Sequence, residues 1–359
     1  MKDEFYKNQH IIFLGFAKCG TTFINYILKQ TKEFLAPTNI KEIGYFLPKN
    51  FTGNLEDYLK YYKKHKKYKK TKTILVESCP PYLHAQELSA VFSNIKKSNL
   101  DCKFVVCIRH PVYRAYSRYI HGIYKLYKKL INKNFADGEL TNKQFQNFVH
   151  KRNYKYSFWE AIEVKKDIYQ PSYYDRVKEL IEEFGRDKVL LFIMEKDIDL
   201  FDDFYQRLCK FCEVDYQPYF KNKTMPLVLS GRSLPKCYYA DSKDLILECN
   251  QTLFKLSEGD LLLSQTEKSK IFKKMTRGLA LEVTASANFW TEKLTKEMCL
   301  RIYQKCFEKD MMNFIKLIQD YYGGTYDLSI YQDYTFKDKS VGFSQLDYEF
   351  LKSNLEILS

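Results

Sequence analysis

Four short apolar runs, Ile11–Leu14, Thr73–Val76, Lys103–Ile108 and Val189–Met194, most constrain what this chain can fold into. Each has strand length, and none alternates strictly between apolar and polar residues. Strands covered on both faces read this way, because neither face meets water. Between them lie segments with helical spacing. Phe23, Ile24, Ile27 and Leu28 share one face of Thr22–Leu28. Val177, Leu180, Ile181 and Phe184 share one face of Tyr174–Phe184, which stops at Gly185, a residue suited to a helix C-terminus. Strands alternating with helices predict an α/β protein, a three-layer α/β/α arrangement around a central, mostly parallel sheet. No internal repeat and no linker stands out. One elaborated domain is expected over 1–325, with helical insertions near 120–155 and 225–290 and a tail over 326–359. Leu294–Ile318 reads as one long amphipathic helix.

The chain has 359 residues, enough for a sizeable core, and is 45% hydrophobic with 30 Tyr and 27 Phe, which excludes a disordered protein. Its net charge of +14 favours an anionic partner, although a Lys excess also suits a solvated surface. The run Tyr58–Lys72 divides the same way: a grip for an acidic glycan, or the exposed face of an amphipathic helix, which is the plainer expectation. The ten Cys follow no secreted-scaffold pattern, and the N-terminus does not resemble a signal peptide. No apolar run reaches the roughly 18–20 residues of a membrane span. These features, with a Lys-, Ile-, Asn- and Tyr-rich composition, suggest a bacterial cytoplasmic protein. Cys209 and Cys212 have C-x-x-C spacing, but no second pair or His cluster completes a zinc site, so core packing is expected.

Gly15-Phe-Ala-Lys18-Cys19-Gly20-Thr21-Thr22 lies between the first strand and the first helix. A helix start offers unpaired N–H groups and a positive dipole end, and Gly20 lets backbone approach a ligand, so a P-loop-like phosphate-binding loop is expected, the alternative being a Gly-containing turn that binds nothing. An ordinary P-loop places Lys directly after the second Gly; here Thr21 holds that place and the Lys precedes Gly20. A nucleotide kinase also wants a carboxylate for magnesium at the end of a neighbouring strand, where this chain has Arg109. Arg109 ends the third run and is followed by Pro111, a good first helical residue, and by Ser117 about two turns on. A forked guanidinium and a hydroxyl make a sensible second phosphate site, though each alone has an ordinary structural use.

Together these segments resemble the sulfotransferases that use 3′-phosphoadenosine 5′-phosphosulfate (PAPS). The first is similar to that family's 5′-phosphosulfate loop and the Arg109–Ser117 segment to its 3′-phosphate motif. The carbohydrate branch, heparan-type enzymes and bacterial relatives, is the nearest match. Lys41-Glu42-Ile-Gly44-Tyr45-Phe46 resembles the segment that supplies its catalytic base, and Glu77-Ser78-Cys79-Pro80-Pro81-Tyr82 resembles its E-K-[ST]-P-x-Y. Ser157–Ile162 resembles a helix start of the branch, and Phe192–Glu195 its strand ending in a carboxylate. His110, Gly44 and Ser78 depart from the pattern; Ser78 stands where relatives carry a Lys at the reacting centre. His110 could be read as another base, but a structural use is expected.

The resemblance implies transfer of a sulfuryl group from PAPS to a hydroxyl or amine of a carbohydrate or glycolipid acceptor, acidic ones included, without a metal. It implies Glu42 and Lys18 as catalytic residues, with Lys18, Cys19, Gly20, Thr21, Thr22, Arg109 and Ser117 holding the cofactor. On the residues alone, the plainer expectation for Glu42 is an exposed carboxylate paired with Lys41. Two rivals remain: a nucleotide kinase with a degenerate P-loop, and a basic non-catalytic module binding nucleic acid or a membrane surface. The first reading expects no nucleic-acid partner and at most peripheral membrane contact.

Overall fold

The computed structural model describes residues 9–37, 39–63, 74–119, 121–122, 157–221, 294 and 296–331, and three strands between 236 and 256. The chain divides into two compact units. One holds Met1–Ala115, Lys165–Val228 and Lys296–Tyr334; the other holds Tyr116–Val164, Leu229–Thr295 and Thr335–Ser359.

The first unit is built on five parallel strands: β1 (His10–Gly15), β2 (Phe34–Leu35), β3 (Ile74–Ser78), β4 (Cys102–Ile108) and β5 (Val189–Ile193), in the order β2-β3-β1-β4-β5. Every residue of these strands is buried, as the unalternating apolar runs require. Each Val, Leu, Ile or Phe so covered contributes roughly 1.5–3 kcal/mol. Flanking helices complete the α/β fold: α1 (Thr21–Leu28), α2 (Glu56–Lys63), α3 (Pro81–His84) and α4 (Leu88–Lys97), then the helices Tyr173–Phe184, Phe201–Phe211, Lys296–Cys306 and Glu308–Tyr322. After β1 the chain builds β2 and β3 on one side, then crosses to build β4 and β5 on the other. The crevice at the C-terminal ends of β1 and β4 is therefore a topological switch point, where open α/β sheets bind ligands.

Two sequence expectations change. Leu294–Ile318 is two helices, Lys296–Cys306 and Glu308–Tyr322, broken at the buried Phe307, whose φ is −130°. Within 225–290 the described residues are strands rather than helices: β6 (Lys236–Ala240), β7 (Asp244–Cys249) and β8 (Thr252–Leu256), an antiparallel sheet of the second unit. Their runs are short and separated by only two or three residues, which leaves no room for helical periodicity. Most of 120–155, and the tail beyond 331, lie outside the described residues. In the second unit Ser157 opens the helix Phe158–Val164 with a capping box: Ser157 Oγ accepts from Glu160 N at 3.2 Å, and Glu160 Oε2 accepts from Ser157 N at 2.7 Å.

Candidate active site

Gly15 ends β1 flush against β4: a Cβ there would lie 2.9 Å from the Cβ of Cys107. Lys18 then takes φ +78° and Gly20 φ +86°, two left-handed residues that turn the loop over the strand end and start α1 at Thr21. That conformation costs an ordinary residue such as Lys roughly 1–2 kcal/mol, and strain of this kind gathers at ligand loops. No side chain caps α1 at Gly20, and its first turn has no acidic residue. The positive end of the helix is left uncovered. The amide of Ala17 is already engaged, donating to Nε2 of His84 at 2.8 Å, so the donors for an anion lie further along the loop.

Arg109 follows the last residue of β4 and is only 8% exposed. Its Nη1 donates to the carbonyl of Lys18 at 3.3 Å, across 91 residues of sequence. The two anion motifs therefore meet at one sheet edge. Tyr173, which sequence reasoning missed, ties them together. Its ring stacks on Phe16 at 4.0 Å, its Oη donates to the carbonyl of Arg109 at 2.8 Å, and it lies 4.0 Å from Cys19 Sγ. Asp310, from the helix Glu308–Tyr322, fixes the start of Tyr173's own helix. It accepts from Ser172 Oγ at 2.5 Å and from the amides of Tyr173 and Tyr174 at 2.8 and 3.3 Å. The only local signal for Tyr173 is a capping Ser immediately before it.

Beyond Arg109, the half-buried Glu195 accepts from the amide of His110 at 2.7 Å and from Tyr331 Oη at 3.0 Å. Burial pushes its carboxyl up, against the Arg109 cation and these hydrogen bonds. The His110 ring stacks on Tyr303, 5.5 Å away. Burial, then the charge of Arg109, push its pKa down to about 3. So weak a base has no use in removing a proton near neutrality, and His110 serves packing. Burial likewise pushes the Cys19 thiol up to about 12, so its side chain is no nucleophile.

Glu42 stands exposed in the loop before α2 and pairs with Lys41 at 3.0 Å. The same Lys41 Nζ donates to Thr21 Oγ1, also at 3.0 Å. One ammonium thus joins the Glu42 carboxylate to the anion loop. Ser78 is fully buried, with Asn25 Nδ2 donating to its Oγ at 3.5 Å, and brings no charge. Gly44 has φ +68°, a conformation that side chains resist. Lys18, Cys19, Gly20, Thr21, Thr22, Arg109 and Glu42 are therefore brought together around the ends of β1 and β4. Ser117 is half-buried in the helix 111–119 and falls in the second unit. In the Lys/Tyr run, Tyr58 and Tyr62 are buried core residues of α2, so neither ring faces a ligand; 64–73 lie outside the described residues. Cys209 and Cys212 are buried, burial pushing Cys209 up to about 11. Among the described residues no group of three or more His, Cys, Asp or Glu could hold a metal, and no helix is long and apolar enough to cross a membrane.

The sulfotransferase domain family matches residues 8–229, more than half of the chain. The chain belongs to that family. It is a PAPS-dependent sulfotransferase, and the matched residues hold both the anion loop and Arg109. No curated protein matches it. Among solved structures, a sulfotransferase from Alicyclobacillus acidocaldarius is 21% identical over 60% of this chain and 86% of its own, with a TM-score of 0.39. A mouse sulfotransferase solved with PAP is 14% identical over 58% of this chain and 60% of its own, with a TM-score of 0.33. The sulfotransferase domain of a Synechococcus olefin synthase is 12% identical over 83% of this chain and 94% of its own, also with a TM-score of 0.33.

Proposed function

We propose that this sulfotransferase transfers the sulfuryl group of PAPS to a hydroxyl or amine of a carbohydrate acceptor by in-line displacement, with Glu42 as the base. The observation that carries this is Lys41, whose Nζ lies 3.0 Å from both Thr21 Oγ1 and Glu42 Oε1. It sets the one exposed carboxylate of that loop beside the anion loop. The acceptor oxygen forms a bond to sulfur while the bond from sulfur to the bridging phosphate oxygen breaks. The electron pair leaves with adenosine 3′,5′-bisphosphate, and the acceptor proton passes to Glu42. Lys18 and the amides of Cys19 to Thr22 meet the charge that grows on the leaving phosphate, each such donor being worth about 3–4 kcal/mol. The base contributes roughly 100- to 10,000-fold. Lys41 supplies a cation beside the reacting group and offsets the neutral Ser78. Arg109 holds the 3′-phosphate. Support for a carbohydrate acceptor comes from the Lys41–Phe46 and Glu77–Tyr82 segments, which resemble the carbohydrate branch.

Incubation with PAPS labelled in its sulfate and a panel of neutral and acidic glycans tests this. Label is expected on at least one glycan, with equal release of adenosine 3′,5′-bisphosphate. Labelling of peptides, lipids or simple phenols alone would overturn the acceptor class. Magnesium-dependent ATP turnover without binding of the bisphosphate would overturn the reaction.

A further inference from the structure

We infer that Glu77 is a positioning residue for the reaction, holding the loop that carries Glu42 through the amide of Gly44. This rests on Glu42 being the base. Glu77 is fully buried at the penultimate position of β3. Its Oε1 accepts from Gly44 N at 2.9 Å, and its two oxygens accept from Tyr82 Oη at 3.0 and 3.1 Å. Tyr82 Oη in turn accepts from Phe46 N at 3.2 Å. One carboxylate and one hydroxyl thus pin two amides of a segment only a few residues long, beginning two residues after the base. Asn50 and Asn94 secure the carbonyls of the same two residues. Their Nδ2 atoms donate to the carbonyls of Gly44 and Phe46 at 2.9 and 3.1 Å.

A buried carboxylate is costly unless hydrogen-bonded, and an apolar residue would serve packing better. Among the described residues, the groups that offset this cost are the loop amides and tyrosine hydroxyls, with no cation among them. Tyr58 and Tyr62 from α2, Tyr82 from α3, Cys79, and Cys102 of β4 face it, and burial keeps all of them neutral. Burial pushes Glu77 from the usual 4.5 up to about 7, against the bonds from Gly44 and Tyr82. The charged form that grips the loop most strongly therefore develops as pH rises through about 7.

The test uses the full chain with water as the acceptor, so no glycan need be known. Slow hydrolysis of PAPS, exchange of the Gly44 amide and calorimetry with adenosine 3′,5′-bisphosphate are measured for wild type, Glu77→Gln, Tyr82→Phe and Glu42→Gln. In Glu77→Gln, hydrolysis should fall and the Gly44 amide exchange faster, each by at least about tenfold, with bisphosphate affinity held within about twofold. The rise of wild-type hydrolysis through neutral pH should vanish in that variant. Tyr82→Phe should move both in the same direction by less. Wild-type exchange and hydrolysis in Glu77→Gln would overturn the inference, as would an equal loss of bisphosphate affinity. Should Glu77→Gln not fold, unchanged hydrolysis in Tyr82→Phe decides against it. Unchanged hydrolysis in Glu42→Gln instead overturns the base assignment, and is read from its own variant.

Discussion

The anion cradle and the base loop sit at the ends of neighbouring strands and are held by opposite means. The cradle is made largely of main chain: a Gly packed against β4, two left-handed residues, an open helix start, and carbonyls of Lys18 and Arg109 that accept from Arg109 and Tyr173. The base loop is held by side chains: Glu77, Tyr82 and Asn94 from other elements and Asn50 of the loop itself bind its main chain, and Lys41 joins its carboxylate to Thr21. A cradle of amides needs no proton to be in a particular place. A loop hung on a buried carboxylate does, so the two regions should respond differently to mutation and to pH.

The largest separation is expected from Glu42→Gln. Its kcat should fall by roughly 100- to 10,000-fold while bisphosphate affinity stays near wild type; loss of both together in steady-state kinetics and calorimetry would merge the two regions. Lys18→Ala acts on the cradle side, and kcat should drop by about 100- to 1,000-fold. Next comes pH. Glu77 binds its proton more tightly folded than unfolded, so its contribution to stability is full below about 4.5, is lost as pH rises to about 7, and is flat above. The fall is about 3 kcal/mol. Thermal unfolding between these pH values should show it in wild type, and Glu77→Gln should flatten it. The smallest effect is Tyr173→Phe, which keeps the ring on Phe16 but removes the bond to Arg109. About 0.5–1.5 kcal/mol is at stake, a few-fold loss of bisphosphate affinity with kcat little changed.

The same contrast explains what was legible in the sequence. β1, β3, β4 and β5 announce themselves because both faces are buried, whereas β2, two residues long, carries no periodicity at all. The anion loop is contiguous, and its Gly and Lys pattern encodes its own backbone. Its meeting with Arg109 followed once both were placed at ends of strands in one sheet. Tyr173 and His84 gave no such signal, and Glu77 stood out only as the first residue of a resembling segment. Their roles depend on which element packs beside which: Asp310 setting Tyr173, or His84 of α3 taking the amide of Ala17. Glu42 was visible only through resemblance, since an exposed carboxylate beside Lys41 looks alike whether or not it acts. The break at Phe307 was hidden because an amphipathic pattern continues through it.

One bisphosphorylated adenosine should bridge the loop after β1 and the Arg after β4. Titration calorimetry with adenosine 3′,5′-bisphosphate on wild type and Arg109→Ala tests it directly. Micromolar-range, magnesium-independent binding is expected in wild type, weakened at least about tenfold in the variant, since a charged hydrogen-bond partner is worth ~1.5–3 kcal/mol. No binding in wild type, or equal affinity in both proteins, would contradict it.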